Sequence, residues 1–224
     1  MRTLALAVAV LTLLPGVRAD NVDTITFQGL TNASLHKEWD AAGMNATVHR
    51  NGADRDHNGI INDTEAQAYT AQVRQRLGDG LASSEASSLS LDGTPPATQV
   101  LARLTFDGLV GNTASTDPVR VTLDVAVAFA PGSSSLHTLT VKPSSDLPFT
   151  TAIRLPAGLP AVTTTNLPVG GSVSQDARTV TFPFAPSAPS FSVSFGTAPA
   201  TSPAPAAIVL LGVLLLAALA RRQR

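Results

Sequence analysis

An alternating apolar pattern in residues 119–129 constrains the fold of this chain more than any other stretch. Every second residue there is apolar: Val119, Val121, Leu123, Val125, Val127 and Phe129. Because side chains alternate between the two faces of a β-strand, this spacing predicts a long strand with one buried face. Shorter alternations occur at Leu89/Leu91, Val100/Ala102/Leu104/Phe106, Leu139/Val141, Phe149/Thr151/Ile153/Leu155, Val180/Phe182/Phe184 and Phe191/Val193/Phe195.

Clusters of Pro, Gly, Ser and Thr separate these segments, and residues 85–197 show no helical periodicity. About seven strands in roughly 110 residues are typical of an antiparallel β-sandwich of immunoglobulin-like size. The chain has no cysteine, and the segment lacks the Cys and Trp signature of true immunoglobulin domains. The resemblance is therefore one of architecture only.

Residues 54–65 carry oxygen-bearing side chains at a regular spacing. Counted from Asp54, these residues occupy positions 1, 3, 5, 9 and 12, and they are Asp54, Asp56, Asn58, Asn62 and Glu65. Gly59 at position 6 permits a sharp bend, and Ile60 at position 7 offers its backbone carbonyl. A hard divalent cation such as Ca²⁺ takes about six to eight oxygen ligands without strict angular demands. The spacing therefore predicts a calcium site.

The segment resembles the calcium loop of the EF-hand family and matches all of the motif D-x-[DN]-x-[DN]-G-x₅-E. The resemblance implies metal ligation by Asp54, Asp56, Asn58, the Ile60 carbonyl, Asn62 through a water, and Glu65. Ile61 takes the place of the apolar residue that joins paired EF-hand loops. No second loop of this kind occurs, which leaves the strand near Ile25, a second copy of the chain, or no partner. The alternative interpretation is a surface turn rich in Asp, Asn and Gly.

The residues around the loop predict a small helical unit over residues 20–84. Ile25 and Phe27 indicate a short strand, and Leu35 with Trp39 indicates a helix over 34–42. The sequence Asn51-Gly52-Ala53 predicts a short or broken helix before the loop. After the loop, Asn62 and Glu65 have the spacing of a capping box, and Gly78 and Gly80 predict the end of the second helix. Residues 80–88 are expected to form a linker.

Both ends of the chain predict export and membrane attachment. Residues 1–19 have the basic start, apolar stretch and small residues of a cleavable signal peptide. Residues 198–205 form a Pro-rich spacer, 206–220 an apolar transmembrane helix, and 221–224 a basic tail expected in the cytoplasm. The layout also resembles the C-terminal sorting tails of prokaryotic surface proteins, which are cut and replaced by another anchor.

The fold class expected from the sequence is therefore α+β, with a small EF-hand-like unit, a β-sandwich and a C-terminal membrane helix. The net charge of −1 and the lack of an internal basic block argue against nucleic acid as a partner. Catalytic motifs are absent, so we expect no enzyme. The expected function is that of a membrane-anchored cell-surface protein in which Ca²⁺ is structural. A calcium-dependent adhesion or ligand-binding module for a surface protein or glycan is the alternative, and a membrane-tethered enzyme ranks below it.

Overall fold

The computed structural model describes residues 21–143, 147–185 and 187–196. In this part of the chain the protein is mostly β, with 44% strand and two helices. The helices are α1 (Met44–Ala53) and α2 (Asp63–Ser87). The strands are β1 (Val22–Phe27), β2 (Asn32–Ala41), β3 (Ile60–Ile61), β4 (Leu89–Leu91), β5 (Thr98–Asp107), β6 (Gly111–Asn112), β7 (Val119–Ala128), β8 (Leu136–Val141), β9 (Phe149–Arg154), β10 (Ala161–Thr165), β11 (Ser172–Val173), β12 (Thr179–Phe184) and β13 (Phe191–Gly196).

The strands form two large sheets and one small one. The seven-stranded sheet has the order β11-β12-β9-β1-β2-β7-β5, the four-stranded sheet the order β10-β13-β8-β4, and β3 pairs with β6. Phe27 of β1 contacts Phe195 of β13 at 5.6 Å between ring centroids, and Phe182 of β12 contacts Phe191 of β13 at 4.4 Å. The two large sheets thus share one hydrophobic core, an arrangement compatible with a β-sandwich.

The alternating segments of residues 85–197 all form strands, as their periodicity predicts. The long one is β7, where Val119, Val121, Leu123, Val125 and Val127 are buried. In β5 the burial falls on Leu101 and Leu104, and Val100 is 62% exposed, because a bulge between Leu101 and Arg103 shifts the register. Every strand pair within the described part of residues 85–197 is antiparallel, as expected; β9 also pairs in parallel with β1, which lies before this segment.

The predicted boundary between residues 84 and 85 does not separate two units. Strands β1 and β2 lie in the middle of the large sheet, where β1 pairs with β9 and β2 pairs with β7 along its whole length. The predicted helix over 34–42 is also wrong, since these residues belong to β2. Leu35 and Trp39 are four residues apart, which fits one helical turn but also two strand repeats. Ten pairs with β7 stabilise the strand.

Helix α2 continues beyond Gly78 and Gly80 to Ser87, so both the predicted helix end and the linker over 80–88 are wrong. Gly78 is buried, and a Cβ atom there would lie 3.0 Å from Leu101 Cδ2. The glycine therefore lets α2 lie close to β5. Ala82 and Ala86 are buried further along the helix. This packing outweighs the cost of about 1 kcal/mol that a glycine imposes on a helix.

Several predicted segments lie outside the described residues. They are the signal peptide 1–19, the spacer 198–205, the transmembrane helix 206–220 and the basic tail 221–224. Among the residues that are described, no helix has the length and apolar character needed to cross a membrane.

Candidate metal centre

Two helices flank residues 54–65 directly. Helix α1 ends at Ala53, and the N–H of Asp54 still donates to the Arg50 carbonyl at 3.0 Å. Helix α2 begins at Asp63, two residues before the last position of the motif. The predicted break at Asn51-Gly52 is wrong, because both residues lie within α1. The local arrangement is thus helix–loop–helix.

The start of α2 has the predicted capping box. The side chain of Asn62 accepts a hydrogen bond from Glu65 N at 3.0 Å, and Glu65 Oε2 accepts one from Asn62 N at 3.1 Å. The other oxygen, Glu65 Oε1, accepts from Arg55 N at 3.1 Å, so this carboxylate joins the beginning of the loop to its end. Two backbone donors hold the buried Glu65 side chain in place.

Three carboxylates converge in the loop. Asp54, Asp56 and Glu65 each offer an oxygen, and these oxygens lie within 4.8 Å of one another. Asp54 Oδ2 accepts a hydrogen bond from Gly59 N at 3.0 Å, whereas Asp54 Oδ1 is buried and has no hydrogen-bond partner among the described residues. A buried carboxylate oxygen without a partner is costly, and a bound cation removes that cost.

The remaining predicted ligands lie on the same turning backbone. Asn58 donates to Asp56 through its backbone N (3.1 Å) and its Nδ2 (2.8 Å), and Asn58 Oδ1 accepts from Ile60 N at 2.7 Å. Ile60 itself belongs to β3. Gly59 has a φ of 83°, a left-handed conformation that glycine adopts without strain. Hydrogen bonds thus link Asn58 to Asp56 and Asn62 to Glu65, so both amides border the carboxylates.

The partner of the loop is a short strand of the same chain. Ile61 is buried and pairs with Gly111, Ile60 pairs with Asn112, and Thr113 N donates to the Gly59 carbonyl at 3.0 Å. This pairing is none of the alternatives expected from the sequence. A two-residue strand has no detectable periodicity, so β6 carries no sequence signal of its own.

Arg50 fixes the segment that contains β6. It is 2% exposed, and its guanidinium donates from Nη1 to the Ser115 carbonyl at 3.0 Å and from Nη2 to the Gly108 carbonyl at 3.1 Å. These bonds join the last turn of α1 to both sides of β6. Sequence reasoning missed this residue because an arginine in a helix is usually solvated.

The four histidines have other roles. His137 is 4% exposed, and its Nδ1 lies 2.8 Å from Asp92 Oδ2. This hydrogen bond helps to hold the Asp92 pKa below its usual value, against the opposing effect of desolvation.

Burial lowers the His49 pKa to about 4, and its Nδ1 lies 2.8 Å from the Tyr69 hydroxyl. His36 contacts Asp124, and His57 is exposed in the loop. Within the described residues, none of the four belongs to the carboxylate cluster.

Comparisons with known proteins add no assignment. No protein-family model matches the chain, and searches of curated proteins and of solved structures found no significant match.

Proposed function

We propose that residues 54–65 form a calcium site and that the protein is a calcium-binding, membrane-anchored surface protein. The observation that carries the metal proposal is the convergence of the Asp54, Asp56 and Glu65 carboxylates around an Asp54 oxygen that is buried and unpartnered. Carboxylate oxygens are the ligands that Ca²⁺ prefers in proteins. An ion at this point balances their charge and supplies the missing partner.

The proposed ligands are the three carboxylates, the side-chain oxygen of Asn58, the carbonyl of Ile60, and Asn62 through a water. The side-chain oxygens of Asn58 and Asn62 each accept one backbone N–H already. An amide oxygen has two lone pairs, so one remains for the metal or its water. The existing hydrogen bonds thus orient these groups without using up their capacity.

The proposed role of the ion is structural. Asp54 follows α1 directly, Glu65 lies in the first turn of α2, and Ile60–Ile61 pairs with β6. One ion held by these residues fixes the two helices and the β3–β6 ribbon relative to one another. Binding free energy then appears as stability of the folded chain. Only three carboxylates contribute, so we expect weak affinity, on the order of micromolar to millimolar, as in extracellular calcium modules.

The finer architecture proposed is an EF-hand-like helix–loop–helix built into an immunoglobulin-like sandwich, which is exported by residues 1–19 and anchored by 206–220. The basic cluster at residues 221–224 favours a cytoplasmic C-terminus. Protease treatment of intact cells that express the chain with a C-terminal tag tests this topology. The protease should digest the described residues from outside the cell. A C-terminal tag that stays intact inside the cell would support the anchor.

Isothermal titration of the purified full-length chain with CaCl₂ tests the metal site. We expect one binding event in the wild type and none in Asp54→Ala or Glu65→Ala. Asp63→Asn is the matched control, because Asp63 is an exposed carboxylate within the loop that lies outside the carboxylate cluster. Heats that persist unchanged in both alanine variants would refute the assignment.

A further inference from the structure

A second group of ionisable side chains lies far from the calcium loop, in the interior. Lys37 of β2 is 3% exposed, and its Nζ lies 2.5 Å from Glu85 Oε2 near the end of α2. Asp23 of β1 is directly opposite Lys37 in the strand register, is 7% exposed, and has a buried Oδ1 without a hydrogen-bond partner. Two side chains that normally carry charge are therefore buried, and a third, Glu85, is partly buried next to Lys37.

Two aromatic side chains lie beside this cluster. The ring centroid of Phe149 lies 5.0 Å from Lys37 Nζ, and Phe184 lines the same partly open cavity as Lys37 and Asp23. Desolvation raises the Asp23 pKa to about 6, and the charges of Lys37 and Glu85 also act on it. The neutral amine and the neutral acid are the reactive forms for amide formation.

We propose that Lys37 and Glu85 condense to form an intramolecular amide, with Asp23 as the group that carries protons during the step. The proposal rests on the short contact between Nζ and the Glu85 carboxyl, on the burial of Lys37, and on the buried Asp23 opposite Lys37 in the strand register, whose Oδ1 has no hydrogen-bond partner among the described residues. It does not depend on the calcium site, whose residues are separate from these three.

The step balances without an external reagent. The ammonium of Lys37 transfers a proton to the Glu85 carboxylate, which leaves a neutral amine and a neutral acid. The nitrogen lone pair attacks Glu85 Cδ, and a C–N bond forms as one C–O bond breaks. Asp23 donates its proton to the departing hydroxyl and takes one from the nitrogen. One water leaves through the cavity, and Asp23 returns to its acid form.

The amide would join α2 covalently to a central strand of the large sheet. Helix α2 leaves the calcium loop, and Glu85 lies in its last turn. The chain contains no cysteine, so disulfides cannot provide such a link. A covalent bond between β2 and α2 closes a loop of residues 37–85 in the unfolded chain, which restricts that chain and favours the folded state.

Mass spectrometry of the full chain, made in a bacterial host and digested with trypsin, tests the proposal. An amide at Lys37 blocks cleavage there and joins two peptides, one ending at Arg50 and one spanning residues 77–103. We expect this branched species at the summed mass of its peptides, less one water for the new amide. Cleavage at Lys37 with both peptides at their unmodified masses would overturn the proposal, and this result needs no variant.

Variants locate the bond. Lys37→Arg keeps the positive charge without a reactive amine, and Glu85→Ala removes the acceptor, so both should give only the linear peptides. Lys142→Arg is the matched control, because Lys142 is the other lysine of the chain and should leave the branched species intact. Loss of water that persists in Lys37→Arg or Glu85→Ala would overturn the assignment. A ring within the peptide that ends at Arg50 would also overturn it, since Asp23 would then be the acceptor.

Discussion

Replacing Asp54 with asparagine should stabilise the metal-free protein and abolish its response to calcium. The two oxygens of Asp54 differ: Oδ2 accepts from Gly59 N at 3.0 Å, whereas Oδ1 is buried without a partner. An asparagine of the same shape keeps the first bond. It places an NH₂ group where Oδ1 was, facing the carboxylates of Asp56 and Glu65. The substitution therefore removes one of three clustered negative charges and adds a donor where none exists.

The magnitude follows from the cost of a buried unpartnered group, about 1–3 kcal/mol. In chelator, Asp54→Asn should raise the free energy of unfolding by an amount in this range. With calcium at about one hundred times Kd, the wild type should gain about 2.7 kcal/mol and the variant close to nothing. The two effects have opposite signs, so a general loss of structure cannot produce both.

Urea unfolding with EDTA and with CaCl₂ measures both effects on one sample. The m-value should stay constant, because the surface exposed on unfolding does not change. Asp63→Asn serves as the control and should retain the full calcium shift. Its free energy of unfolding should fall by about 0.3–1 kcal/mol with and without calcium, because a negative charge at the helix N-terminus is lost. A variant that is less stable in EDTA and still stabilised by calcium would refute the reasoning.

Three further predictions concern single residues. Gly59→Ala should destabilise the chain by about 1–2 kcal/mol, both in calcium and in chelator, because the φ of 83° is strained for a residue with Cβ. Urea unfolding measures this loss, and a variant as stable as the wild type would contradict it. Asn62→Ala should cost about 1 kcal/mol even in chelator, since the capping box is lost; a cost seen only with calcium would contradict the capping role. The folded-state pKa of Asp23 is raised from 3.8 to about 6, so the folded state holds this proton more tightly than the unfolded state does. Stability from this group is present below about pH 4 and is lost as pH rises through about 6, a total of about 3 kcal/mol. Asp23→Asn should abolish this decrease in stability, measured as the urea midpoint between about pH 4 and pH 6. An unchanged decrease in the variant would refute the role of Asp23.

The strands of residues 85–197 were predictable because their alternation is long or well bounded, as in Val119–Ala128. Strand β2 was not, since the spacing of Leu35 and Trp39 fits both a helix and a strand. Pairing with β7, some 90 residues later in the chain, decides between them. Gly78 failed as a helix end for a similar reason: its contact with Leu101 is tertiary.

The candidate site was predictable to a greater extent because its spacing is local. The capping of α2 by Asn62 and Glu65 follows from three residues of sequence separation and is confirmed. The partner strand of the loop and the buried Arg50 depend on contacts with residues 108–115. No local sequence pattern predicts such contacts, so neither the partner strand nor the burial of Arg50 could be inferred from the sequence.

The parallel pairing of β1 with β9 has a consequence for biosynthesis. A growing chain can form the β1–β2 hairpin early, but the other edge of β1 has no neighbour until residues 149–154 have been made. During that interval Ile25 and Phe27 belong to an open strand edge, which is prone to pair with other polypeptides. A nascent chain truncated before residue 149 should therefore aggregate more readily than one truncated after residue 184, where β12 has covered the far side of β9 as well.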